Sequence, residues 1–169
     1  MPFTIHSLKQ QPALADIVAQ WQHKESLREG LYSSLSLRRQ SLQPHLDGDT
    51  PIPTTWVAVQ AGQALGCLSL VSYQADTEQG WQGGEPLWVS GVYVLPEFRR
   101  QGLARALLAH AAEEAAALEA QCLWLVTHNA EDFYHRLGWR ALRQFILDGR
   151  LVTLMEQSLE KPSVPRVDR

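Results

Sequence analysis

The sequence predicts an α/β (α+β) fold: a mixed, mostly antiparallel central sheet flanked by helices. Three observations carry that expectation. The apolar runs 55–60 and 65–73 face each other across Ala61-Gly62-Gln63 as a hairpin, and 139–147 and 151–158 form a second one turning at Asp148-Gly149. Between the hairpins, a strand at 87–94 passes without a linker through a short basic turn into an alanine-rich helix. A further strand at 121–127 follows that helix, so one crossover joins two strands of the same sheet.

The remaining elements follow in order. Residues 3–8 read as a first strand, and 13–25 as a helix with Leu14, Ile17, Val18 and Trp21 at helical spacing. A second helical stretch is expected over 27–42. Prolines, a glycine and aspartates make 44–53 a loop, and the polar, glycine- and acid-rich 74–85 is expected to be a mobile one. In the helix expected over 102–118, Ala104, Leu107, Leu108, Ala111, Ala115 and Leu118 share one face, leaving Arg105, Glu113 and Glu119 to water. A short helix over 130–137 stops at Gly138. These elements define one domain over 1–160, with 161–169 as a flexible tail.

Composition bounds the function. At 169 residues and 45% hydrophobic, the chain suffices for one core and falls short of two ordinary domains. A net charge of -3, with no basic stripe beyond Arg99, Arg100 and Arg105, argues against a general nucleic-acid binder. No apolar stretch approaches the roughly eighteen residues of a membrane span, and the first residues lack a signal-peptide pattern, so a soluble, cytoplasmic protein is expected. Cys67 and Cys122 lie on apolar strand patterns without C-x-x-C spacing and read as buried, reduced thiols.

The most informative segment is the turn Arg99-Arg100-Gln101-Gly102-Leu103-Ala104. A helix start presents unpaired N–H groups and the positive end of the backbone dipole, so a basic turn entering a helix can hold a phosphate or pyrophosphate. Gly102 removes the side chain that would keep such a ligand from the backbone. Neither G-x-x-x-x-G-K-[ST] nor G-x-G-x-x-G occurs. What occurs is [RQ]-x-x-G-x-[GA], filled by Arg99, Gly102 and Ala104, and further on Phe133-Tyr134-His135-Arg136-Leu137-Gly138-Trp139, of the form F-Y-x-x-x-G-[FW].

On these two motifs, in this order and covering about 87–140, the chain resembles the GCN5-related N-acetyltransferase (GNAT) family. The resemblance implies that Val92, Tyr93 and Val94 pair through their backbone with the pantetheine arm of acetyl-CoA. It also implies that the turn from Arg99 and Arg100 through Gln101, Gly102, Leu103 and Ala104 to Arg105 takes the pyrophosphate, with Asn129 as a further cofactor contact. Tyr134 occupies the position that in many members protonates the departing thiolate. Acetyl-CoA is then the cosubstrate, and no metal is implied.

The reaction so implied is attack of a primary amine on the thioester carbonyl. A backbone donor stabilises the oxyanion, and an acid serves the sulfur. An amine of solution pKa ~10.4 must be made neutral, by a base or through water. Some relatives carry a carboxylate where this chain has Val126, which cannot act; His128 and Glu85 are the candidate bases. Asp47, Asp49, Asp76, Glu78 and Glu85, in loops expected to border the cleft flanked by Trp81 and Trp88, point to a small cationic amine or a peptide N-terminus as acceptor. The alternative is a non-catalytic acyl-CoA-binding sensor of the same fold. Either protein would work as a monomer or homodimer.

Overall fold

The computed structural model of the chain describes residues 2–73 and 85–159. Asp76, Glu78, Trp81 and the tail expected from 161 lie outside the described residues. Seven strands form one sheet: β1 (Thr4–Ser7), β2 (Thr54–Gln60), β3 (Gln63–Val71), β4 (Leu87–Val94), β5 (Cys122–Thr127), β6 (Arg140–Leu147) and β7 (Arg150–Ser158). Their order is β1-β2-β3-β4-β5-β7-β6, and only the β4–β5 pair is parallel. The helices are α1 (Ala15–Arg28), α2 (Leu35–Leu42), α3 (Leu103–Ala117) and α4 (Glu131–Arg136).

The central strands are apolar in succession because both faces are covered. In β2 and β3, Trp56, Ala58, Leu68 and Leu70 join the core under α3 with Leu107, Leu108, Ala111 and Ala115. The alternate residues Val57 and Cys67 belong to a second core, with Leu8, Val18, Trp21 and Leu42 on the α1–α2 side. β6 is different: it is an edge strand, and all its residues but Phe145 are exposed.

Several expected boundaries shift. The helix expected over 27–42 is interrupted: α1 runs on to Arg28, Gly30 takes φ +76, and α2 begins only at Leu35, where Ser34 accepts from the Leu37 N–H at 3.1 Å. A left-handed glycine ends one helix and a serine cap starts the next. The expected loop 44–53 opens on a short 3-10 turn over Gln43–Leu46. Cys67 is fully buried as expected; Cys122 is only partly so, because it lies on the half-buried face of β5 with Trp124 and Val126.

β4 carries the feature that shapes the site. Leu87 and Val89 point into the α3 core, and so does Val94, which has the opposite parity. The phase flips because three steps along β4, from Ser90 to Tyr93, span two along β3, from Ser69 to Cys67. This bulge is built on Gly91, at φ +62. Bent there, β4 leaves β5 after the pairs Leu87↔Leu123 and Trp88↔Trp124.

Candidate active site

Where β4 and β5 part, a cleft of about 990 Å³ opens, bounded by α1, α2 and the β6–β7 hairpin. Of the site residues expected from sequence, Val92, Tyr93, Asn129 and Tyr134 line it together. Val94 and the segment Arg99 to Arg105 do not; they continue from the end of β4 into the start of α3.

Tyr134 is placed by the cap of its own helix. Gly138, at φ +94, donates to the His135 carbonyl at 3.0 Å, and Trp139 donates back to the Tyr134 carbonyl at 3.0 Å. This six-to-one closure brings the rings of Tyr134 and Trp139 to 5.8 Å, with Phe133 at 5.1 Å on another side. The spacing F-Y-x-x-x-G-W is therefore the sequence of a helix stop that fixes one tyrosine. Burial pushes the Tyr134 hydroxyl up to about 12, so it keeps its proton throughout the physiological range.

The turn after β4 is equally constrained. Arg99 is exposed yet folds back on its strand: its Nε donates to the Val94 carbonyl at 2.9 Å and its guanidinium lies 5.7 Å from the centre of the Tyr93 ring. Trp21 of α1 packs against that ring at 5.2 Å, tilted by 35°. Arg100 and Gly102 take φ +63 and +84. The first intrahelical bond of α3 runs from Ala106 N to Gly102 O, so the N–H groups of Leu103, Ala104 and Arg105 precede any helical acceptor. Gly102 offers no side-chain cap, and no acidic residue stands in the first turn. An anion fits that end.

The candidate bases separate. His128 lines the cleft, and its Nδ1 lies 3.2 Å from the Leu151 carbonyl. A carbonyl can only accept, so Nδ1 carries the proton and the neutral ring keeps its Nε2 lone pair free to take another. Glu85 is exposed and does not line the cleft. Trp88 lines it as expected, with Tyr73 edge-on at 5.2 Å, and Val126 is also in the lining. Asp49 does not: it borders a separate hollow beside Lys9 and His110, because the 47–53 loop folds against the β1 edge and α3. Asp47 lines neither hollow.

Residues missed in the sequence complete the cleft. Gly91 is one, and Gln22 Nε2 would lie 3.4 Å from a Cβ added there. Ser26, Arg38 and Arg150 supply its polar wall. The bulge had a readable signal in the parity change around a lone glycine, Leu87 and Val89 against Val92 and Val94. The wall had none, since its members come from three distant elements. Among the described residues no cluster could hold a metal, and no helix is long and apolar enough to cross a membrane.

A family model described as an acetyltransferase (GNAT) domain matches residues 51–141. The fold is shared with an aminoglycoside 6'-N-acetyltransferase complexed with coenzyme A, at 12% identity and TM-score 0.72, covering 95% of this chain and 99% of that one. It is shared too with yncA from Salmonella typhimurium, solved with its cofactor acetyl-CoA: 17% identity, TM-score 0.71, 99% and 100% of the two chains. A ribosomal-protein-alanine N-acetyltransferase from Brucella melitensis is similar at 19% identity and TM-score 0.69, over 92% of this chain and 99% of that one. No curated protein matches the sequence significantly.

Proposed function

The chain belongs to the GNAT acetyltransferase family, and from that premise we propose that it transfers the acetyl group of acetyl-CoA to the nitrogen of a primary amine. One observation carries the reading. The parallel contact of β4 and β5 ends after two residue pairs, and the gap holds a buried tyrosine beside freed strand backbone, while β4 leads into an uncapped helix start. An extended thioester with a pyrophosphate at its far end matches that layout. Its arm would pair with the backbone of Val92 to Val94, and its phosphates would meet the N–H groups of Gly102 to Arg105. Arg100 and Gln101 are exposed beside them. Arg99 would act through the strand it braces, and Asn129 from the cleft lip.

In the reaction the amine nitrogen attacks the carbonyl carbon, the C–N bond forms and the C–S bond breaks. The nitrogen loses one proton and the sulfur gains one. His128 Nε2 is the proposed acceptor of the first. Tyr134 serves the second: pushed up to about 12, it is a phenol at the start of the reaction, donates a hydrogen bond to sulfur as negative charge develops there, passes its proton to the departing thiolate and takes one back from solvent. Backbone N–H groups around the Gly91 bulge are the proposed donors to the oxyanion.

The test pairs binding with chemistry. Wild-type protein should bind acetyl-CoA by calorimetry and release free thiol only when a suitable amine is present. Gly102→Asp places a carboxylate at the α3 start, where the pyrophosphate would be repelled; because φ +84 strains any side chain there, Gly102→Ala, with the same strain and no charge, is the control. Affinity should fall by about a hundredfold or more, the cost of roughly 3 kcal/mol for a lost charge-assisted contact. Unchanged affinity in this variant would remove the turn from the cosubstrate site.

A further inference from the structure

The wall of the cleft formed by α1, α2 and β7 carries more positive charge than its carboxylates neutralise. Its described cations are Arg28, Arg38 and Arg150, and its anions are Glu25 and Glu29. Arg28 is held by Glu25 through two bonds, at 3.1 and 2.9 Å. Arg38 and Arg150 form no ion pair with any described carboxylate. Arg38 donates from Nε to Ser33 Oγ at 3.2 Å and from a terminal nitrogen to Ser26 Oγ. Arg150 donates to the carbonyl of Glu29.

Those contacts anchor the two guanidiniums at neighbouring points on the end of α1. Ser26 and Glu29 stand three positions apart at the end of α1, one turn above the other, so groups arriving from α2 and from β7 converge there. A guanidinium has five N–H donors; two of Arg38 and one of Arg150 have described partners. Fastening α1 to its neighbours accounts for those bonds. It does not account for two half-buried cations without an ion-pair partner, which outnumber Glu29, the one carboxylate of the wall that Arg28 does not hold, in a cleft whose lining also includes the apolar Val126, Phe145, Leu147 and Trp88.

We propose that the acceptor amine bears a carboxylate, as a free α-amino acid does, and that Arg38 and Arg150 bind that carboxylate while the amine reaches the thioester. The inference rests on the acyl-transfer reading above and names its substrate class. A planar carboxylate matches the fork of a guanidinium, and a polyamine or other polycation would meet two like charges. Of the acidic loop residues that suggested a cationic acceptor, the described ones do not line this cleft: Asp49 borders the other hollow, and Asp47 and Glu85 lie outside the lining.

The experiment measures thiol release with free amino acids, with their methyl esters and with spermidine. Esterification removes the carboxylate and also lowers the amine pKa, which by itself favours the ester as nucleophile, so a preference for the acid is a stringent result. The free acids should exceed the esters in kcat/KM by about tenfold or more, mainly through KM. Arg38→Gln and Arg150→Gln should each shrink that acid-to-ester ratio; because the ratio is taken within one protein preparation, partial unfolding does not mimic it. Arg38→Lys, which keeps charge and loses the fork, should recover part of it. Equal or better use of esters or spermidine by the wild type would overturn the inference and leave acyl transfer standing. Absence of thiol release with every amine, despite acetyl-CoA binding, would overturn both.

Discussion

Tyr134 is the proposed proton donor to the sulfur, and its environment separates a chemical role from a packing one. Tyr134→Phe keeps the ring against Phe133 and Trp139 and removes only the hydroxyl. Turnover with the best acceptor should fall by roughly a hundredfold while acetyl-CoA affinity stays constant; equal turnover, with chemistry rate-limiting, would return the departing thiolate to solvent. Cys67 gives a second expectation at this scale. Its fully buried thiol is pushed up to about 12 from 9.0, so the native state holds a proton that the unfolded state has lost. Stability from this group is complete below pH 9 and drains away as pH rises toward 12, by up to about 4 kcal/mol. Denaturant midpoints of Cys67→Ala should therefore fall less steeply than wild type across that alkaline window. Tyr134 was legible in the sequence because its helix, stop and packing partner are consecutive. Arg150 was not: its bond to Glu29 spans 121 positions, and no local pattern encodes such a meeting.

Among the elements, β3 and β4 fit with no slack where β4 ends. A Cβ on Gly66 would come 2.6 Å from the Tyr93 carbonyl oxygen and 3.3 Å from the Val94 Cα, both backbone atoms that cannot swing aside. Gly66→Ala should cost about 3 kcal/mol by urea denaturation and, by pushing β4 outward, weaken acetyl-CoA binding as well. Gly48→Ala, with open space around it, is the control and should be near neutral. Most elements could be read from sequence because hydrophobic period and punctuation agreed: Leu107, Leu108, Ala111 and Ala115 mark the buried face of α3, and Asp148-Gly149 turns the last hairpin. The break between α1 and α2 was missed because Leu27, Leu35 and Leu42 keep an apolar rhythm across it, and one glycine and one serine outweigh that rhythm. The strand carrying Gly91 was bounded correctly, yet its bulge went unread.

At the scale of the whole molecule, the sheet is two antiparallel blocks, β1 to β4 and β5, β7, β6, meeting along two parallel residue pairs. The fold class was legible because each block is built from neighbours in sequence; the narrowness of their junction was not, since it depends on how far β4 bends. That junction has a measurable consequence in amide hydrogen exchange. About half of the N–H groups between Val89 and Val94 point away from β3, toward a strand that has already departed, and must be hydrated when the cleft is empty. They should exchange with solvent deuterium far faster than the amides of β2 and β3, although all three strands lie at the centre of the sheet. Saturating acetyl-CoA should slow exchange in Val92 to Val94 selectively, leaving the β6–β7 hairpin unchanged. The slowest-exchanging part of the unliganded protein is then the β2–β3 pair, and solvent enters first one strand away, along the end of β4 in the middle of the sheet.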